Sequence, residues 1–126
     1  MIDALFHQPN YLAAKQMMSG TVNERIAIQT NLANIETPRY QRLQISPAFQ
    51  EQLQEALNSG DTTQLRSISP QLEEDTTSVS GRPDGNNVIL ENEMMNLMKT
   101  SVDHAFETQL VTGNLLRLRL AITGRS

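Results

Sequence analysis

Residues 88–126, VILENEMMNLMKTSVDHAFETQLVTGNLLRLRLAITGRS, decide the fold. The stretch holds no proline, and its first glycine is Gly113. Leu90, Met94, Leu97, Val111, Leu115, Leu118 and Ile122 fall on one a/d-like seam. Met95, Met98, Val102, Ala105 and Leu116 fall on an adjacent seam, and Glu93, Asn96, Thr100, Asp103, Glu107, Asn114 and Arg117 form a polar stripe. Such spacing predicts a long helix, and an apolar surface two seams wide implies more than one packing partner. Glu91 and Glu93 near its start and Arg117, Arg119 and Arg125 near its end complement the helix dipole.

Working toward the N-terminus, residues 41–87 read as a polar, largely irregular middle segment. A short helix is expected at 47–57, with Ser46 as N-cap, Pro47 at N1, and Phe49, Leu53, Ala56 and Leu57 on one face. From Asn58 to Asn87 the large apolar residues are Leu65, Ile68, Leu72 and Val79. So little apolar surface offsets poorly the ordering entropy of roughly 1–2 kcal/mol per residue. Short strands around Ile68, Leu72 and Val79, or docking of these residues on a partner, are compatible with the pattern.

Residues 1–40 form the N-terminal segment. A helix is expected from about Tyr11 to Ile35. Met18, Val22 and Ile26 step by four, and Ile28, Leu32 and Ile35 by four and three. Thr37-Pro38 is the stop signal, Pro9 interrupts the chain before Tyr11, and Gly20 costs about 1 kcal/mol relative to alanine. Met1 to Asn10 lacks the basic and apolar regions of a cleavable secretory signal.

Length converts these readings into a shape. The first helix would span about 38 Å and the last about 50 Å, whereas a compact globule of this length is about 36 Å across. The expected architecture is mainly α, an elongated antiparallel pair of long N- and C-terminal helices that make coiled-coil contacts in an assembly. Two helices bury one stripe each, so the second seam calls for another chain. Val22, Ile26, Ile28, Leu32, Ile35, Leu90, Met94, Leu97, Val102, Val111, Leu115, Leu118 and Ile122 are the expected assembly interface.

Composition excludes more chemistry than it offers. The 126 residues carry 10 basic and 14 acidic side chains, a net charge of -4, and the basic residues are scattered. Nucleic-acid binding is not expected, since it calls for a basic patch or stripe. Cysteine is absent, and His7 and His104 lie far apart, which argues against disulfides, thiolate chemistry and a His-rich metal site. Hydrophobic residues make up 38% and aromatics 4%, so a self-sufficient core would be thin. No apolar run approaches the roughly 18 residues of a membrane span. Glu73-Glu74-Asp75 reads as a solvated charge run. Asp84-Gly85-Asn86-Asn87 reads as a turn launching the last helix, with Asn86 or Asn87 as its cap, because its glycine is misplaced for a calcium loop. His104 has only diverging neighbours on its own helix, so it is a surface or interface histidine. Met94, Met95 and Met98 are packing residues. No catalytic, metal or cofactor residue, no small-molecule substrate and no enzyme activity are expected.

The most distinctive stretch is Asn31-Leu-Ala-Asn-Ile-Glu-Thr-Pro-Arg-Tyr40. Two asparagines one turn apart in a helix end suggest specific hydrogen bonding across helices. Through Asn31, Ala33, Asn34, Thr37, Pro38 and Tyr40 the stretch resembles the N-terminal motif of the bacterial flagellar axial proteins (rod, hook and hook-associated), commonly Asn-x-Ala-Asn-x-x-Thr-Pro-Gly-Tyr. It departs at Arg39, where that family has glycine for a positive-φ turn. Asp84, Gly85, Asn86, Asn87 and Val88, with Leu90-Glu91 and Glu93-Met94 following, resemble the segment that opens the last helix in proximal rod members. The ending Leu118-Arg-Leu-Ala-Ile-Thr-Gly124 is similar to theirs.

The resemblance implies a structural subunit of the flagellar basal-body proximal rod, part of the drive shaft that carries torque from the membrane ring to the distal rod and hook. It implies a helical rod of self-associated copies within the periplasm. It further implies type III export through the flagellar export gate without a cleaved signal peptide, and contacts with other rod proteins and a rod-to-ring adapter. The competing expectation is a small helical type III export chaperone or regulator that binds a partner helix.

Overall fold

Pro9 opens the first helix rather than interrupting the chain before it. The computed structural model describes residues 8–124. Within them α1 runs Pro9–Ala33 with the proline in its first turn, where a missing N–H and a fixed φ do no harm. The helix ends at Asn34, whose backbone N–H reaches the carbonyls of Thr30 and Asn31. Beyond it come β1 (Leu43–Ile45), α2 (Pro47–Ser59), α3 (Thr62–Ser67), β2 (Leu72–Glu74) and α4 (Leu90–Thr123). The protein is mainly helical, with long helices near both ends of the described chain.

The middle segment differs from the largely irregular chain expected there. Pro47 starts α2, and Gly60 at φ +69° ends it, a left-handed cap that glycine takes without steric cost. Asp61 caps α3 by accepting from the Thr63 and Gln64 N–H groups at 3.0 and 3.2 Å. β1 and β2 pair antiparallel in the register Leu43–Glu74, Gln44–Glu73 and Ile45–Leu72. Val79 lies outside either strand and is almost fully exposed.

What makes this order affordable is a core the middle shares with the first half of α1. Leu12 and Ala13 meet Phe49, Leu53 and Ala56 of α2, Leu65 of α3 and Ile68, with Tyr11, Met17 and Ile45 at the edge. Gln16 adds a hydrogen bond from Nε2 to the Leu65 carbonyl at 2.8 Å. Few side chains are involved, but buried ones stabilise by roughly 1.5–3 kcal/mol each.

Gly20 lies where α1 passes Phe49. A Cβ there would come within 2.7 Å of the ring. Gly20→Ala is therefore expected to destabilise the protein by about 1–3 kcal/mol through overpacking, despite alanine's better helix propensity. Urea unfolding of the two proteins checks the sign.

α4 packs chiefly on α1. Thr21 meets Glu107, Arg25 meets Ser101, and Asn31 meets Glu93, all through side-chain hydrogen bonds. The helix begins at Leu90 with Ile89 as the capping position, so neither Asn86 nor Asn87 caps it. No helix among the described residues is long and apolar enough to cross a membrane.

Candidate functional site: a polar junction and an outward apolar face

The two stretches that carry the family resemblance, fifty residues apart, meet in one place. Asn31 is the centre. It is fully buried, and its last-turn position on α1 aims the amide at β1, Tyr40 and α4. Its Nδ2 donates to the Leu43 carbonyl at 2.9 Å and to Glu93 Oε2 at 3.2 Å. Its Oδ1 accepts from the Leu43 N–H at 2.7 Å and the Tyr40 hydroxyl at 3.0 Å. All four hydrogen-bonding positions of the amide are used, so only asparagine satisfies the site.

Asn86 and Asn87 close the junction from the other strand of chain, and both are buried. Asn86 Nδ2 lies 2.9, 3.1 and 2.9 Å from the carbonyls of Asn34, Ile35 and Thr37. It thus serves the carbonyl end of α1 instead of the start of α4. Asn87 Oδ1 accepts from the Arg42 N–H at 2.6 Å, and its Nδ2 donates to the carbonyls of Asp75 and Ser78. Asn34 stays local, donating to the Thr30 carbonyl and accepting from the Thr37 hydroxyl. Asp84 Oδ1 accepts from the Asn86 N–H, Val88 is buried, and Ala33 and Pro38 are exposed.

Arg42 was outside every sequence-based site, yet it holds the charges here. Its Nε lies 2.9 Å from Glu93 Oε1 and its Nη1 2.6 Å from Asp75 Oδ2. Glu93 is 0% exposed. Burial disfavours the charged guanidinium, but the hydrogen bonds to Glu93 and Asp75 outweigh it and hold Arg42 above its ordinary value. Burial would likewise raise Asp75, but hydrogen bonds from Thr77 and Arg42 bring it below its ordinary value. Asp75 is therefore not part of a solvated run, although Glu73 and Glu74 beside it are exposed.

Arg39, at the position where the resembled motif carries glycine, has φ +61°. Its N–H donates to the Asp84 carbonyl at 2.8 Å, and Gly85, at φ +79°, packs against its Cα. The left-handed turn is kept in spite of the side chain, at roughly 1–2 kcal/mol. Arg39→Gly is expected to fold at least as stably as the parent, while β-branched Arg39→Val loses about 1–2 kcal/mol. Thermal unfolding of the pair reads the difference.

Along α4 the burial pattern is reversed from the usual amphipathic helix. Glu93, Thr100 and Glu107, read in the sequence as part of the polar stripe, are buried. Met95 and Met98 are each 67% exposed and Val102 is 69% exposed, and Leu90, Met94, Phe106, Leu115, Leu116 and Ile122 also face outward. Of the remaining expected interface residues, Leu97 and Val111 are half-buried, and the Leu118 side chain lies outside the described residues. On α1, Val22 and Ile26 are exposed, Leu32 half-buried and Ile28 buried, while Ile35, two residues past the end of the helix, is half-buried.

Glu107 accepts from the Thr21 hydroxyl at 2.8 Å through Oε1, whereas its buried Oε2 has no partner among the described residues. Burial raises its pKa above 4.5. The Thr21 bond and nearby His104 oppose the rise, and Asp103 and Glu24 add to it. A raised carboxyl contributes stability that is full below 4.5 and lost as pH climbs through the raised value. Glu107→Gln is expected to flatten that fall and to gain about 1 kcal/mol at neutral pH. Denaturation between pH 4 and 7 measures both.

No group of three His, Cys, Asp or Glu side chains that could hold a metal occurs among the described residues. Neither protein-family models nor curated proteins match the sequence.

Proposed function

We propose that this chain is a structural, non-enzymatic subunit of a self-assembling helical rod. Following the motif resemblance, we assign it to the proximal rod of the bacterial flagellar basal body, as a subunit of the FlgB kind. The observation that carries the assembly reading is the reversal on α4. Polar groups face α1, and a continuous apolar surface of Met95, Met98, Val102 and Phe106 faces out. Soluble chains rarely leave such surface uncovered without a partner, and burying it is worth about 25 cal/mol per Å2.

An antiparallel coiled-coil-like pairing of α1 with α4 is supported by the order of their contacts: Thr21, Arg25 and Asn31 meet Glu107, Ser101 and Glu93 in descending order. The convergence of Asn31–Tyr40 with Asp84–Val88 supports the family reading, since it gives both stretches one shared task. In this role the chain leaves through the export gate, joins copies of itself in the periplasm, and contacts the rod-to-ring adapter and other rod proteins.

Electron microscopy of basal bodies from a strain lacking the chain tests this. Rings without rod or hook, restored by complementation, are the expected result. Complete rods and hooks would reject it and favour an export chaperone or regulator.

A further inference from the structure

Residues of α1, β1, α2 and α4 together line a groove of about 860 Å3. Its floor is α1 and β1. Glu24 from α1 and Asp103 and Glu107 from α4 line it, together with Lys99, one turn before Asp103 on α4. Arg42 also reaches the groove, but its charge is committed to Asp75 and Glu93. Met17, Leu57 and Phe106 supply apolar surface beside the acids.

Two facts mark this groove as built for a cation. Glu107 is only 5% exposed and lines the groove, yet its Oε2 has no partner among the described residues. A buried carboxylate oxygen in that state is costly unless something donates to it. Burial also raises the pKa of Glu24, with Lys99 opposing the rise and Asp103 adding to it.

The matching surface is on the same chain. Arg119 is exposed near the end of α4 and makes no ion pair among the described residues. Leu115 and Leu116 lie one turn before it and Ile122 one turn after, all exposed, so a cation sits within an apolar helical face. An acidic, partly apolar groove and a basic, apolar helix end complement each other.

Resting on the self-assembly reading above, we infer that the groove receives the C-terminal end of α4 from a second copy, with Arg119 placed against Glu24, Asp103 and Glu107. A guanidinium donates to carboxylates through two parallel N–H groups, which also fixes orientation. Each copy offers one groove and one helix end, so the contact is head-to-tail and propagates.

The experiment uses the full chain and sedimentation velocity. Arg119→Glu and Asp103→Arg are each expected to weaken self-association at least tenfold. An equimolar mixture is expected to recover it, because the intact helix end of one variant meets the intact groove of the other. Circular dichroism checks folding, and Glu24→Lys replaces Asp103→Arg if the latter is unfolded. Wild-type association that both variants retain would overturn the groove contact and leave assembly standing. A wild-type chain that stays monomeric up to millimolar concentration would overturn the contact together with self-assembly.

Discussion

Arg42→Ala is expected to cost about 3–5 kcal/mol, because it leaves two buried carboxylates without their shared cation. Glu93 is fully buried and Asp75 nearly so. Neither has another cation within ion-pair distance among the described residues. Against a typical domain stability of about 5–15 kcal/mol, this is enough to open the junction. Urea unfolding followed by circular dichroism measures it. The acid limb should move as well. Asp75 has a lowered pKa in the folded chain, so its contribution holds above 3.8 and is lost only as pH falls through the lowered value. Without Arg42 that protection shrinks, and acid unfolding begins at higher pH. A double change to apolar residues, Arg42→Met with Glu93→Leu, should recover much of the loss. A single variant as stable as the parent would show that the ion pairs do not hold the junction.

Val102→Asp and Leu115→Asp should behave in the opposite way. Both positions are exposed on α4, so the isolated chain should keep its stability to within about 0.5 kcal/mol. In an assembly each would put a charge into a dry apolar contact, at about 2 kcal/mol or more, a roughly thirtyfold or greater loss of association. Leu97→Asp is a poorer probe, since Leu97 is half-buried within the chain and its loss would also weaken the monomer. Analytical ultracentrifugation and incorporation into rods provide the two readouts. Normal incorporation of Val102→Asp and Leu115→Asp would remove the outward face from the interface.

Periodicity located α4 to within two residues at its start, because helical spacing over nine turns admits few alternatives. It could not say which face turns inward. The polar stripe of Glu93, Thr100 and Glu107 looks solvated in one dimension, and only the partners Arg42, Asn31 and Thr21 reveal why it is buried. Arg42 left no local signal, since its carboxylates lie 33 and 51 residues away. The two asparagines in the α1 end did signal hydrogen bonding, correctly for Asn31 across helices, while Asn34 bonds within its own turn. The middle segment was hidden for another reason. Its few apolar residues look inadequate alone, and they suffice because α1 adds Leu12 and Ala13, with Tyr11 and Met17 at the edge.

That division gives the two halves of α1 different physics. Its first half is held by apolar packing against α2 and α3, whose strength carries a large heat-capacity change and weakens on cooling. Its second half meets α4 through Thr21, Arg25 and Asn31. These are polar contacts that respond to pH and, where exposed, to ionic strength, but little to temperature through hydration of apolar groups. Cold loosens one end of the helix and salt or acid the other, so a single rigid rod of 25 residues joins two parts of the molecule that answer to different solvents.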